Sequence, residues 1–271
     1  MNWTPILMLT GIGFLVGCIG TLIGAGGGFI LVPVLLLLFP GLRAEAITSI
    51  SLRVVFLNAF SGTVAYARMK RIDYRSALLF ALATLPGAII GASLTSYIPR
   101  NLFDILLGVI LIAVSAFLLI KPNYKVTPKL VDRQSWVHRK ITDSKGQEYT
   151  YSFNIWTGII LSFFVGYLSS LLGIGGGIIH VPALTALLHF PIHVATATSH
   201  FILAIMALAG TIIHIIQGNL KGSWFTIIYL GIGVLGGAQL GAYLSHHIKP
   251  KLIIRALAIA LILVGLRLVF M

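Results

Sequence analysis

Four glycines within five residues, set between two apolar runs, occur twice in this chain, as Gly24-Ala25-Gly26-Gly27-Gly28 and Gly173-Ile174-Gly175-Gly176-Gly177. The segments around them, LIGAGGGFILVPVL and LLGIGGGIIHVPAL, match at nine of fourteen positions and lie 149 residues apart. Their setting is apolar: 58% of the residues are hydrophobic and 9% are charged, against about 25% charged in a soluble domain. So little polar surface cannot cover a water-soluble particle of this length, and the chain reads as an integral membrane protein. The apolar runs are long, continuous and rich in Leu, Ile and Ala, which points to helices; barrel strands would alternate over roughly 10 residues. Inside a bilayer, backbone that leaves helical geometry must be buried in protein or line a watery cavity. A doubled glycine break at membrane depth therefore implies two homologous halves that each bring one broken helix to a shared interior.

Taken in order, the apolar runs are Ile6 to Ile23, a short one from Phe29 to Phe39, Ala46 to Tyr66, Ala77 to Ile98 and Leu102 to Ile120. The second half repeats them with Phe153 to Leu172, a short one from Ile178 to Phe190, Val194 to Ile216, Trp224 to Leu244 and Leu252 to Phe270. The expected fold is an all-α polytopic membrane protein of two homologous halves, each with four long helical segments and one short glycine-broken segment. The boundaries are 1–120 for the N-terminal repeat, 121–152 for a basic cytoplasmic linker and 153–271 for the C-terminal repeat. The linker reads as a solvated loop carrying at most a small hairpin. The start, MNWTPILMLTGIGF, lacks a basic n-region and reads as the first membrane helix. Similarity extends past the glycines: Thr48-Ser49 answers Thr198-Ser199, Gly62-Thr63 answers Gly210-Thr211, and Gly87-Ala88 with Gly91-Ala92 answers Gly237-Ala238 with Gly241-Ala242.

The formal net charge of +13 sits mostly in loops and reads first as membrane orientation. The loop 67–75 holds Arg68, Lys70, Arg71 and Arg75, while its counterpart at 218–223 holds Lys221 alone. The turn at 99–101 has Arg100, while 246–251 has Lys249 and Lys251. The bias swaps between halves, as it must if they are inverted repeats, with the N-terminus outside and 121–152 inside. Nucleic-acid binding is the weaker reading of the charge. The lone cysteine, Cys18, excludes an internal disulfide.

The glycine clusters have two readings. One is tight helix packing, to which the small-xxx-small spacings such as Gly13/Gly17 and Gly87/Gly91 belong. The other, favoured for the runs themselves, is a binding site. The helix after each cluster begins near the glycines, and its first N–H groups carry partial positive charge toward an anion. Paired short, Gly/Pro-interrupted segments are the sequence pointer to a transporter site. The site candidates are Gly24, Gly26, Gly27, Gly28, Gly173, Gly175, Gly176 and Gly177, with Thr48, Ser49, Arg53, Thr198, Ser199 and Gln239 from the spans. Arg53 lies inside a span, where its insertion costs about 2.5–3.5 kcal/mol. It reads either as structural, with Glu45 as partner, or as an anion ligand whose guanidinium fork matches sulfonate or carboxylate oxygens. Its repeat counterpart falls near Leu203. The Thr-Ser pairs either cap helices or touch substrate. Gln239 either bonds a neighbouring helix or lines the site. His200 and His214 are structural or carry protons. No metal site and no Walker A or Rossmann spacing is present, so no cofactor is expected.

These residues resemble the sulfite exporter TauE/SafE family, also called the TSUP permeases. The pattern G-x-G-G-G-x-x-x-V-P-x-L stands at 24–35 and again at 173–184, and the likeness runs along essentially the whole chain. The resemblance implies a multi-pass permease of the cytoplasmic (inner) membrane that moves sulfur-containing anions such as sulfite, sulfoacetate or other sulfonates.

The expected function is a secondary transporter of a small sulfur-containing anion, alternating access between the halves. Proton coupling is the simplest energy source, since no nucleotide motif exists. A transporter of a carboxylate or other solute is the alternative, and a channel the next. Cation transport would need acidic residues within the spans, which are missing. An intramembrane enzyme would need a polar catalytic pair with an orienting acid, which is also missing, so no enzyme is expected.

Overall fold

The computed structural model describes residues 3–120, 136–218, 224–245 and 250–270. The first half runs α1 (Trp3–Ile23), α2 (Gly28–Leu38), α3 (Ala44–Arg68), α4 (Tyr74–Leu94) and α5 (Arg100–Ile120), with a 3-10 turn at Thr95–Tyr97. The second runs α6 (Ile155–Leu172), α7 (Gly177–Ala186), α8 (Ile192–Ile216), α9 (Trp224–Leu244) and α10 (Pro250–Val269). Among the described residues seven helices, α1, α3, α4, α5, α6, α8 and α9, are long and apolar enough to cross a membrane. The protein is a multi-pass helical membrane protein. Short α2 and α7 have 11 and 10 residues, which at 1.5 Å per residue reach about half of a 30 Å hydrocarbon core. The expected turn at 218–222 and loop at 246–251 lie largely outside the described residues, as does 121–135 of the linker.

The halves do not pack side by side as two bundles. The first helix of each half lies along the fourth helix of the other, α1 on α9 and α6 on α4. Small residues make this approach possible. Gly233, Gly237 and Gly241 of α9 sit against the backbone of Thr10, Phe14 and Cys18, and Gly87 and Gly91 of α4 against that of Phe163 and Tyr167. Contacts of this kind drive helix association where lipid removes the hydrophobic advantage. Along both pairs the residue numbers rise together, so each pair is parallel. The corresponding helices α3 and α8 instead run in opposite directions: Gly62 faces His200, while Gly210 faces Leu52. Helices α5 and α10 are antiparallel too, meeting at Gly108 and Gly265.

The linker carries a small hairpin, as the sequence allowed, but the hairpin is partly buried where solvent was expected. Residues Trp136–Thr142 (β1) and Glu148–Asn154 (β2) form an antiparallel hairpin with Trp136 opposite Asn154. It is not a solvated loop, because Tyr149, Tyr151 and Phe153 are buried. Phe153, expected at the start of a span, belongs to β2; Asn154 caps α6 by accepting hydrogen bonds from the N–H groups of Trp156 and Thr157.

Candidate functional site

The two glycine clusters meet. A Cβ added at Gly28 would fall 2.6 Å from the Ile174 carbonyl carbon, and one at Gly177 would fall 2.6 Å from Cα of Ala25. The contact is reciprocal between halves and is made by backbone on both sides. Gly24, Gly26, Gly27, Gly173 and Gly175 have positive φ, a left-handed conformation that costs a side chain about 1–2 kcal/mol and costs glycine nothing. It is this that turns α1 into α2 and α6 into α7. Leu203 covers Gly26 and Val55 covers Gly175. In this conformation Gly24, Gly26, Gly28, Gly173, Gly175 and Gly177 serve close approach between the halves, while Gly27 and Gly176 pack within their own halves, against Val16 and Ser169.

Two buried serines tie the crossing to the long helices. Ser51 donates to the Gly173 carbonyl at 2.6 Å, and Ser199 donates to the Gly24 carbonyl at 3.3 Å. Likewise Thr48 abuts Gly173 and Thr196 abuts Gly24. The structural pairs are thus Thr48 with Thr196 and Ser51 with Ser199, correcting the pairing read from the Thr-Ser dipeptides. The reason is local: α7 is one residue shorter than α2, so the offset between halves falls from 149 at the glycines to 148 in the next helix. Arg53 accordingly corresponds to Phe201, two positions from the expected Leu203. Neither dipeptide caps a helix, since the caps of α3 and α8 are Arg43 and Pro191. We expect Ser51→Ala to lower stability by about 1–3 kcal/mol by leaving a buried carbonyl unsatisfied; a melting temperature equal to wild type in detergent would show that the bond carries no weight.

Arg53 is 6% exposed and lies three residues before the middle of the 25-residue helix α3, about 4.5 Å along its axis. Nη1 donates to the Ser49 carbonyl at 3.0 Å and to its hydroxyl. Nη2 is buried with no hydrogen-bond partner among the described residues. The expected partner fails, because Glu45 pairs with Arg43 at 3.1 Å. The other described acids are also taken: Asp73 by Arg139, Asp104 by Arg100, Asp143 by Arg71 and Glu148 by Lys140. Arg53 therefore carries a buried charge without a carboxylate, within electrostatic reach of His214. Buried hydroxyls of Thr48, Ser169, Ser170 and Thr211 on the surrounding helices also lack partners. Gln239 is elsewhere: it is exposed on α9 and spans to Ser61 of α3, donating to its carbonyl and hydroxyl at 2.8 Å each.

On the opposite side of the crossing a second polar cluster fills the related position. Thr21 donates to Asn58 Oδ1 at 2.9 Å, Tyr66 donates to the Thr21 carbonyl at 2.8 Å, and His200 Nε2 lies 3.3 Å from the Thr21 hydroxyl. From here a narrow cleft of about 40 Å³ runs along α7, from Gly177 past Pro182 and Thr185 to Arg71 and Ser245. The hairpin lies across the Arg71 end. Asp143 Oδ2 is 3.4 Å from Arg71 Nη2, with both side chains buried. Burial alone would raise the Asp143 carboxyl, but the Gln147 and Lys145 N–H groups and Arg71 outweigh it and hold it below the ordinary 3.8. Tyr151 donates to Asp73 Oδ2 at 2.8 Å; burial first, then the Asp73 charge, pushes that phenol up. The Asp73 N–H donates to Thr198 Oγ1 at 3.1 Å, so Thr198 belongs to this side. Reading the sequence missed Ser51, Thr196, Arg71 and Asp143. The first two needed the one-residue change of register, and the last two sat in segments read as solvated loops.

Comparison with known proteins agrees with this architecture. The family model for the sulfite exporter TauE/SafE matches residues 9–268. The chain is 34% identical to the probable membrane transporter protein YunE of Bacillus subtilis, with 97% of each chain covered. It is 27% identical to a probable membrane transporter protein of Methanocaldococcus jannaschii, over 91% of this chain and 88% of the relative. It is 24% identical to the probable membrane transporter protein YfcA of Escherichia coli, over 92% and 85% respectively. No solved structure matches the chain. By a family model spanning nearly its whole length and by relatives aligned from end to end, this chain is a membrane transporter of the sulfite exporter TauE/SafE family.

Proposed function

We propose that the protein is a secondary transporter of small sulfur-containing oxyanions, sulfite or an organosulfonate, with the binding site between repeats 1–120 and 153–271. Arg53 supplies the charge. Thr48, Ser49 and the unpartnered hydroxyls of α6 and α8 supply neutral donors, and the glycine-led starts of α2 and α7 are the elements that move apart to expose it. The observation that carries the reading is the Nη2 of Arg53, buried near mid-membrane with every described acid engaged by another cation. A guanidinium with an open donor edge and hydroxyls around it suits a tetrahedral or planar oxyanion. The opposed directions of α3 and α8 support inverted repeats, and hence alternating access by rocking one half against the other. The cleft along α7 is the path on the basic side, which the charge bias puts in the cytoplasm.

The test is sulfite and sulfoacetate uptake into proteoliposomes with and without a pH gradient. Saturable flux that a proton gradient accelerates supports the anion and the coupling together. Flux indifferent to the gradient removes proton coupling. No flux of either anion, with flux of a simple carboxylate, would replace sulfur oxyanions by carboxylates as the substrate.

A further inference from the structure

The hairpin has no counterpart in the repeat. Its Phe153 packs on Phe80 of α4, and Tyr151 and Phe153 pack on Phe190 beyond α7. It is also anchored at two points of unusual backbone. Among the described residues only Lys70 (φ 54) and His189 (φ 56) are non-glycine residues with positive φ. The hairpin reaches both: the Ser144 N–H donates to the carbonyl of Met69, next to Lys70, at 3.0 Å, and Trp136 stacks on His189 with centroids 6.2 Å apart. Both residues close the ends of helices, Lys70 after α3 and His189 after α7. Between the two anchors the hairpin delivers one carboxylate to Arg71, at the outer end of the cleft that leads to Gly177.

The chemistry of that carboxylate is informative. Asp143 Oδ1 is consumed by its own turn, accepting from Lys145 N at 2.9 Å and Gln147 N at 3.0 Å. Oδ2 alone reaches outward, to Arg71 and the Tyr149 hydroxyl, each at 3.4 Å. Both contacts are long for a charge-assisted bond, which closes to about 2.7–2.9 Å when the geometry is good. Arg71 is 3% exposed, and a buried guanidinium holds an anion in either arrangement. A free oxyanion arriving in the cleft could meet it with two oxygens, where the tethered carboxylate offers one.

We propose that Arg71 is an oxyanion-binding station at the mouth of the cleft, and that the hairpin is a lid whose Asp143 carboxylate occupies the station until a free carboxylate, sulfonate or sulfite displaces it. The turn 143–147 then lifts off Met69 while Tyr151 and Phe153 keep the strands packed on Phe190, and the displaced Asp143 returns to water with its turn bonds intact. The proposal rests on the reading of the protein as an anion transporter, but its own test does not require flux.

Binding of sulfoacetate and of sulfite to the full chain in lipid nanodiscs is measured by calorimetry, with amide exchange of residues 136–154 followed alongside. Asp143→Asn keeps Oδ1 for the turn and removes the competing charge; it is expected to bind sulfoacetate about tenfold tighter than wild type and to exchange faster in the hairpin. Arg71→Gln is expected to weaken binding about tenfold, and Asp143→Asn should confer no gain on that background. In wild type, added sulfoacetate should speed hairpin exchange. Equal affinity in wild type and Asp143→Asn, or binding by neither, overturns the station. Intact effects at residues 71 and 143 in a protein that moves no anion would overturn the transport reading and leave the station standing.

Discussion

Arg53→Met is expected to abolish anion flux while leaving the protein at least as stable as wild type. Two separate quantities set this pair of outcomes. An arginine within a span costs about 2.5–3.5 kcal/mol to insert, and in this conformation no carboxylate offsets it. Methionine keeps an apolar stem in the same space and removes the charge, so a gain of about 1–3 kcal/mol follows. With substrate bound, the guanidinium faces the anion, and removing one partner of a buried charge pair costs about 2–5 kcal/mol. That is a loss of roughly 30-fold or more in affinity. A buried structural ion pair would behave oppositely, since breaking it destabilises by about 3–5 kcal/mol. Uptake assays and thermal unfolding on the same preparation decide between them: a mutant that melts earlier yet transports normally would make Arg53 structural and leave the proposed site without its charge.

The second large effect is steric. Gly177→Ala would place a methyl against the Gly24 carbonyl oxygen and 2.6 Å from Cα of Ala25, and Gly28→Ala would place one 2.6 Å from the Ile174 carbonyl carbon. Alanine is the better helix former by about 1 kcal/mol, so propensity alone predicts a gain at both positions. Overpacking ordinarily costs about 1–3 kcal/mol, and here the obstructing atoms are backbone of the other half, which has no rotamer to escape into. The clash should win, with a net loss of about 2 kcal/mol or more and separation of the halves at the crossing. Gly11→Ala is the control, since no atom lies within 4 Å of the added methyl and it should be neutral or slightly stabilising. If Gly177→Ala unfolds no earlier than Gly11→Ala, the crossing is looser than its geometry indicates.

What could be read along the chain were the quantities that depend on local pattern. Apolar runs located every helix of both halves to within a few residues, because lipid demands an uninterrupted apolar face and punishes a charge. The doubled G-x-G-G-G announced two breaks, since only glycine takes positive φ there without penalty. The Arg53 anomaly was visible as one charge in a span. Tertiary structure decided who touches whom. Nothing in α1 names α9 as its neighbour 220 residues on; complementary glycine faces select it only when both helices are present. One residue fewer in α7 than in α2 takes the repeat offset from 149 at the glycines to 148 in the next helix, so Ser199 answers Ser51, where the dipeptide match at offset 150 had pointed to Ser49. Glu45 lay near Arg53 in sequence and went to Arg43, because a carboxylate near a helix start finds an exposed partner more cheaply than a buried one. The basic loop and the charged linker looked like solvent-facing surface, and folding buried Arg71 and Asp143 against each other, since each charge could leave water only in the company of the other.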